Sequence, residues 1–251
     1  MNIAAFIPCR KGSKSIKDKN IKLLGGRPLM AWSIDSAFKS GVGRVIVSTD
    51  SDEYAQIARE YNAEIMMRPA NLGKDTTSMF DVLKSEVPKI NPVPDLVMLL
   101  QPTSPFRKNL HIKLAISCLT ANLEKYDSII SAEKVPEKYN PYAMIIETSA
   151  GKRMVVRKLI GLKEKISAYF TGETFAGPTL SGYPVSQRMT RRQDLPQCWL
   201  PDGSIYLFKT ENLKHGSIYG DEVMILENEG TPNLNEISDW ERAEKYLAQK
   251  T

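Results

Sequence analysis

The chain has 251 residues, of which 42% are apolar and 25% charged, and carries a formal charge of +5 from 34 Lys and Arg against 29 Asp and Glu. That composition is ordinary for a folded domain, enough chain for one large α/β domain or two small ones. The charge bias is too weak to argue for nucleic acid and suits a small anionic substrate, and no apolar run approaches the roughly 20 residues of a membrane helix.

Three widely spaced cysteines, Cys9, Cys118 and Cys198, form no CxxC pair, and only two histidines occur, His111 and His215. A disulfide framework, a zinc site and a His-centred triad are therefore not expected. A reducing cytoplasm is the expected compartment. Residues 1–8 are too short, and lack the charged leader, for a signal peptide.

In chain order, residues 2–8 read as a buried strand that empties directly into Cys9-Arg10-Lys11-Gly12-Ser13-Lys14-Ser15-Ile16-Lys17-Asp18-Lys19-Asn20. This loop joins one Gly and two Ser to five cations. It can offer backbone N–H groups and positive charge to one anionic ligand, and a phosphate chain suits it. Pro28 to Phe38 reads as a helix, with Pro28 in its first turn and Gly41 at its end. Arg44 to Asp50 is a second strand, and Ser51-Asp52 can cap a helix over 53–61. Glu64 to Met67 is a third strand. Asp75 to Val87 reads as a helix capped at Asp75. Leu96 to Leu100 is apolar throughout and so a central strand. A helix over 108–121 and a strand at Ser128 to Ser131 follow.

This βαβα order predicts a mostly parallel sheet covered by helices on both faces. Three strands end in polar residues: the loop after Pro8, Ser48-Thr49-Asp50, and Gln101-Pro102-Thr103-Ser104-Pro105. A parallel sheet puts all three on one rim, where open α/β sheets bind ligands.

The rhythm breaks after residue 133. Residues 143–158 look like paired strands around Ser149-Ala150-Gly151. Residues 160–200 scatter Gly and Pro with little periodicity, which reads as a lid or dimerisation excursion. Ser204 to Phe208 and Val223 to Leu226 return as strands. Ser238 to Leu247 closes the chain as a helix with a Ser/Asp cap. No internal repeat or low-complexity segment is apparent.

Six blocks now stand in order: Arg10-Lys11-Gly12-Ser13-Lys14 with Lys19-Asn20; Val47-Ser48-Thr49-Asp50; Arg68-Pro69; Leu100 to Pro105; Arg191-Arg192-Gln193-Asp194-Leu195-Pro196; and Gly203-Ser204-Ile205-Tyr206. In these the chain resembles the CMP-sialic acid synthetases, or acylneuraminate cytidylyltransferases, over nearly its whole length. The loop departs from the Kdo cytidylyltransferases, whose pattern usually puts Tyr and Thr where Gly12-Ser13 stand. The resemblance implies a Rossmann-like nucleotide-diphospho-sugar transferase fold, a single domain over 1–251 with a dimerisation excursion at about 134–200. It implies that CTP is joined to a nine-carbon sugar acid with release of pyrophosphate, using Mg²⁺, in a homodimer, with no nucleic acid or membrane partner.

By that resemblance Arg10, Lys14 and Lys19 hold the triphosphate and act in catalysis, with backbone contacts from Gly12 and Ser13 and with Asn20 close by. Gly12 also has a physical reason, since a side chain there would obstruct close approach. Lys17 and Lys22 read as solvated cations. Arg68, Thr77 and Ser78 complete the nucleotide site. Gln101 contacts the sugar acid, and Arg191 and Arg192 bind its carboxylate or a phosphate. The metal falls at Asn233 and Asn235, where the family normally has an Asp-x-Asp pair.

That pair is the main departure, because two amides contribute no charge to a hard cation. Glu236, Asp239 or Asp50 could substitute, the triphosphate could hold the metal, or the protein could bind its nucleotide and turn over poorly. Asp239 also reads as the cap of the last helix. Asp202-Gly203 is a second departure, placing a negative charge near the sugar pocket where the family often has Asn-Gly.

Overall fold

Alternation along the first strand decides which helices cover which face. In β1 (Ile3–Pro8), Ala5 and Ile7 point into one apolar cluster while Ala4 and Phe6 point into another. Successive side chains of a strand leave opposite faces, so a strand buried on both sides must read as one unbroken apolar run. The computed structural model describes residues 1–140, 145–148, 151–154, 197–228 and 232–249.

After β1 come a two-residue hairpin, β2 (Leu23–Leu24) and β3 (Arg27–Pro28), then α1 (Leu29–Lys39), β4 (Arg44–Thr49), α2 (Asp52–Glu60) and β5 (Glu64–Met67). The chain continues through α3 (Met79–Glu86), β6 (Leu96–Leu99), α4 (Asn109–Thr120) and β7 (Ser128–Lys134). A backbone hairpin of β8 (Ile145–Thr148) and β9 (Gly151–Met154) precedes β10 (Trp199–Lys209), β11 (Val223–Glu227) and the last helix, α5 (Ile237–Ala248).

Seven strands form one sheet in the order β11-β7-β10-β6-β1-β4-β5. β1 runs parallel to both β4 and β6, β4 to β5 and β7 to β11, whereas β10 runs antiparallel to β6. The carboxyl ends of β1, β4 and β6 therefore share one edge. α1, α2 and α4 pack with Ala5, Ile7, Val45 and Met98 on one face; α3 packs with Phe6, Ile46 and Leu99 on the other. A third cluster joins Trp240 and Ala243 of α5 to Ile16 in the basic loop, Leu24, Leu29 and Leu234.

The chain divides into two compact units, Met1–Ala132 with Pro201–Thr251, and Glu133–Leu200. Within the second, Val135 N–H donates to the Cys198 carbonyl at 2.9 Å. No helix among the described residues is long and apolar enough to cross a membrane.

Two helix starts differ from expectation. α3 begins at Met79 with Ser78 as its cap, accepting from Asp81 N–H at 3.1 Å, so Asp75 lies a turn outside the helix. Glu236 is the cap of α5, in a capping box with Asp239, where Ser238 was expected to contribute. Asp239 Oδ2 accepts from the N–H groups of Asn235 and Glu236 at 2.9 and 2.8 Å, which satisfies donors that a helix start leaves open.

Candidate active site

The basic loop is fastened at its start to the rim of the sheet. Cys9 N–H donates to the Ser48 carbonyl at 2.8 Å, and Lys11 N–H to Asp50 Oδ1 at 2.7 Å. Asn20, buried, closes the loop by donating its amide to the Arg10 carbonyl at 3.0 Å. Ile16 is buried in the cluster under α5, so the loop has an apolar anchor between its cations. Gly12 sits at φ +80, a backbone that L side chains rarely adopt, and a Cβ there would meet no protein atom within 4 Å. Its conformation, rather than crowding by the protein, accounts for the glycine.

Three cations gather above this frame. Arg10 Nη2 and Lys14 Nζ each lie 2.6 Å from one carboxylate, that of Asp75. The Lys14 hydrogen bond, then the Arg10 and Lys14 charges, hold that carboxyl below its usual range. The pairs are solvent-exposed, so they add little to stability; they show instead that this part of the loop collects negative oxygen. Lys19 is half-buried and donates to the Leu234 carbonyl at 3.0 Å. Burial and then the nearby Arg10 push its pKa down, with Asp239 opposing. Lys17 is exposed, whereas Lys22 stacks its ammonium 4.5 Å from the Trp240 ring centre.

Arg68 is buried. Its Nε and Nη2 donate to Ser48 Oγ and O at 3.2 and 3.3 Å, and its own N–H donates to the Thr49 carbonyl at 2.7 Å. Burial lowers its pKa while Asp50 opposes, so the guanidinium is a fixed donor at the end of β4. Thr77 donates its hydroxyl to the Asn71 carbonyl at 3.3 Å, and Ser78 both caps α3 and donates to Asp81 Oδ2 at 2.7 Å. Both hydroxyls sit in the segment that carries Asp75.

The other half of the rim is organised by Arg107, only 4% exposed. It donates to the Gln101 carbonyl at 2.6 Å, to Ser33 Oγ at 2.7 Å and to the Ser204 carbonyl at 2.9 Å. One guanidinium thus ties the end of β6, α1 and β10 together. Burial drives its pKa down and Asp202 opposes. Asp202 does not present its charge outward: Oδ1 accepts from Ser131 Oγ at 2.5 Å and from Ser204 N–H at 2.9 Å, and Oδ2 accepts from Asn228 Nδ2.

The turn at Asn233 to Asn235 does not fit a resident Mg²⁺. Asp239 and Glu236 are spent in the capping box, and Asp50 is held by the loop backbone. Asn235 is exposed, and the Lys19 ammonium already sits on the carbonyl of Leu234 between the two asparagines. Among the described residues no group of three His, Cys, Asp or Glu could hold a metal ion. Mg²⁺ usually takes one or two carboxylates beside substrate phosphates, and none is free here.

A protein-family model described as Cytidylyltransferase matches residues 4–164, which include the basic loop, the three rim strands and Arg107. The chain belongs to the cytidylyltransferase family. It is 41% identical over 133 residues to an N-acylneuraminate cytidylyltransferase of Escherichia coli O18:K1:H7, covering 53% of this chain and 31% of that protein. It is 40% identical over 121 residues to a CMP-N,N'-diacetyllegionaminic acid synthase of Legionella pneumophila, covering 46% of this chain and 52% of that one. The chain thus spans about a third to a half of the length of these relatives. Its fold is similar to that of a CMP:2-keto-3-deoxy-manno-octonic acid synthetase solved with CTP, with a TM-score of 0.68 at 14% identity and full coverage of both chains.

The structure brings together Arg10, Lys14 and the segment of Thr77 and Ser78 through Asp75, and brings Lys19 to the Asn233–Asn235 turn. Arg191 and Arg192 lie outside the described residues. Arg107 belongs to none of the sequence blocks, and Asp75 is not the helix cap its sequence position suggests. The signal for Arg107 was present: an Arg two residues past Gln101-Pro102-Thr103-Ser104-Pro105 and ahead of α4, with no carboxylate nearby in sequence. Nothing in the sequence pairs Asp75 with a loop some sixty positions earlier.

Proposed function

We propose that this chain is an acylneuraminate-type cytidylyltransferase that joins CTP to a nonulosonic acid and releases pyrophosphate. The observation that carries this reading is the cluster of Arg10 and Lys14 on one carboxylate, on a backbone-anchored loop at the rim shared by β1, β4 and β6. The names of the similar cytidylyltransferase and synthase support the substrate class. In this reading the anomeric hydroxyl of the sugar acid attacks the α-phosphorus. A new O–P bond forms, the bond to the β-phosphate bridging oxygen breaks with its electron pair leaving on pyrophosphate, and the hydroxyl proton passes to solvent. Negative charge grows on the phosphate oxygens, so Arg10, Lys14 and Lys19, with the N–H groups of Gly12 and Ser13, lower the barrier by holding it.

Asn20 acts through the loop it closes. Arg68 orients the nucleotide from the end of β4, beside Thr77 and Ser78. Gln101 faces the sugar acid, and Arg191 and Arg192 take its carboxylate. Mg²⁺ enters as the counter-ion of CTP and is held mainly by the phosphates. The working form is a homodimer in the cytoplasm, where CTP is available and free thiols such as Cys9 and Cys118 persist.

The test is release of pyrophosphate from CTP and Mg²⁺ with N-acetylneuraminic, N,N'-diacetyllegionaminic, pseudaminic or deaminated neuraminic acid. Turnover with one of these is expected. The Asn233 and Asn235 pair favours a second reading, a nucleotide-binding homologue with weak activity. Tight CTP binding with no turnover on any of the four acids would select it.

A further inference from the structure

The rim near Gly203 gathers Gln101 with polar atoms to which the reaction above gives no role. Gly203 is at φ +76, and a Cβ built on it would lie 3.1 Å from Asn233 Nδ2, 3.6 Å from Gln101 Oε1 and 3.9 Å from Ser104 Oγ. Three polar side-chain ends thus meet around one point. A Cβ would crowd the Asn233 amide, and the left-handed backbone favours a glycine there.

These ends are not spent on the protein. Ser104 is 1% exposed, and its Oγ has no hydrogen-bond partner among the described residues. The Asn233 amide donates to the Asp202 carbonyl at 3.3 Å, yet its Oδ1 is buried and equally without a partner there. Thr103 Oγ1 and Ser204 Oγ, on the same two stretches of chain, share that condition. Buried hydroxyls and amides are nearly always paired, so the unpaired Ser104 Oγ and Asn233 Oδ1, on two side chains that meet at Gly203, point to a ligand.

The same surroundings define its chemistry. The two nearby charges, Arg107 and Asp202, are consumed by internal partners. What remains is neutral: one or two hydroxyls, the acceptor of Asn233 and the amide end of Gln101. Such a set pairs with hydroxyl or amide groups and brings no charge to a phosphate or a divalent cation.

We infer that Ser104 and Asn233, gathered with Gln101 over Gly203, form a neutral subsite that recognises a hydroxyl or acyl-amide group of the sugar acid, so that Asn233 serves the sugar and not a metal. The inference rests on the cytidylyltransferase reading above and adds the residues that set sugar preference.

Ser104→Ala and Asn233→Ala test it, with N-acetylneuraminic and N,N'-diacetyllegionaminic acids as probes. Each variant is expected to raise the KM for the better acid about fivefold to tenfold, the loss of one neutral hydrogen bond, and to leave the KM for CTP within about twofold. Ser104→Ala deletes a hydroxyl without a partner, so its Tm is expected to equal or exceed that of the parent. A drop in Tm with unchanged KM values would make Ser104 structural and overturn the subsite. So would sugar KM values within twofold of the parent in both variants. A parent chain that turns over none of the acids fails at the earlier reading, and that result is distinct because no variant is needed to see it.

Discussion

At the scale of single residues, Asp75 is the residue whose role changed most between sequence and structure. It sits where a helix cap belongs by composition, since Asp and Ser are comparable caps and both occur between 75 and 78. Ser78 takes the cap and frees Asp75 to bridge Arg10 and Lys14. On the proposed reading the triphosphate and Asp75 seek the same two cations. Asp75→Asn is therefore expected to tighten CTP binding about fivefold in calorimetry, an effect the size of the exposed pairs it releases. Weaker binding in this variant would mean that Asp75 holds the nucleotide rather than competes with it. The sign with pH follows from its lowered pKa. The pairs are fully formed above the ordinary carboxylate pKa and are lost only as pH falls through the lowered value, so at neutral pH the competition is at full strength.

At the scale of elements, the strands were legible because β1, β4 and β6 are buried on both faces and read as apolar runs. The paired strands expected around Ser149-Ala150-Gly151 are the backbone hairpin of β8 and β9. The β2–β3 hairpin was not legible: two residues a side carry no periodicity, and Leu24 is buried by α5, far along the chain. The start of α5 differs from its sequence pattern for a related reason. Its cap is set by a reciprocal contact of Glu236 and Asp239, while Ser238 has the commoner capping side chain. The rim was legible as an edge, since polar ends of parallel strands must coincide there; what braces it was not. Arg107 joins three elements by bonds to two carbonyls and a hydroxyl that no local pattern foretells. Arg107→Met keeps the volume and removes all three bonds, although the Gln101 carbonyl still accepts from Ser104 N–H. We expect a loss of about 3 kcal/mol in denaturant unfolding, because each buried group left unpaired costs about 1–3 kcal/mol and some will find water. An unchanged midpoint would mean that relief of the buried charge offsets the bonds.

At the scale of the whole molecule, charge is distributed so that the protein brings cations and the ligand brings oxygen. Arg10, Lys14 and Lys19 are held by a loop anchored at Asp50, at Arg10's own carbonyl and, through Ile16, under α5, so they are in place before a nucleotide arrives. The turn at Asn233 to Asn235 has two amides where carboxylates could stand, and Lys19 donates to the Leu234 carbonyl between them. A site that relies on carboxylates needs a divalent ion to join protein to phosphate, because without one the two repel. Here the protein and phosphate attract directly, with charge-assisted hydrogen bonds that need no bridge. CTP should therefore still bind when the metal is removed. In calorimetry with excess EDTA its Kd is expected to rise by less than about tenfold, and saturating CTP at about a hundred times Kd should still stabilise the fold by about 2.7 kcal/mol. Raising the salt concentration should weaken binding in EDTA more steeply than in Mg²⁺, because more of the attraction then runs through exposed Arg10 and Lys14. Abolition of CTP binding by EDTA would instead assign the Asn233–Asn235 turn a metal after all, with Lys19 displaced from Leu234 to admit it.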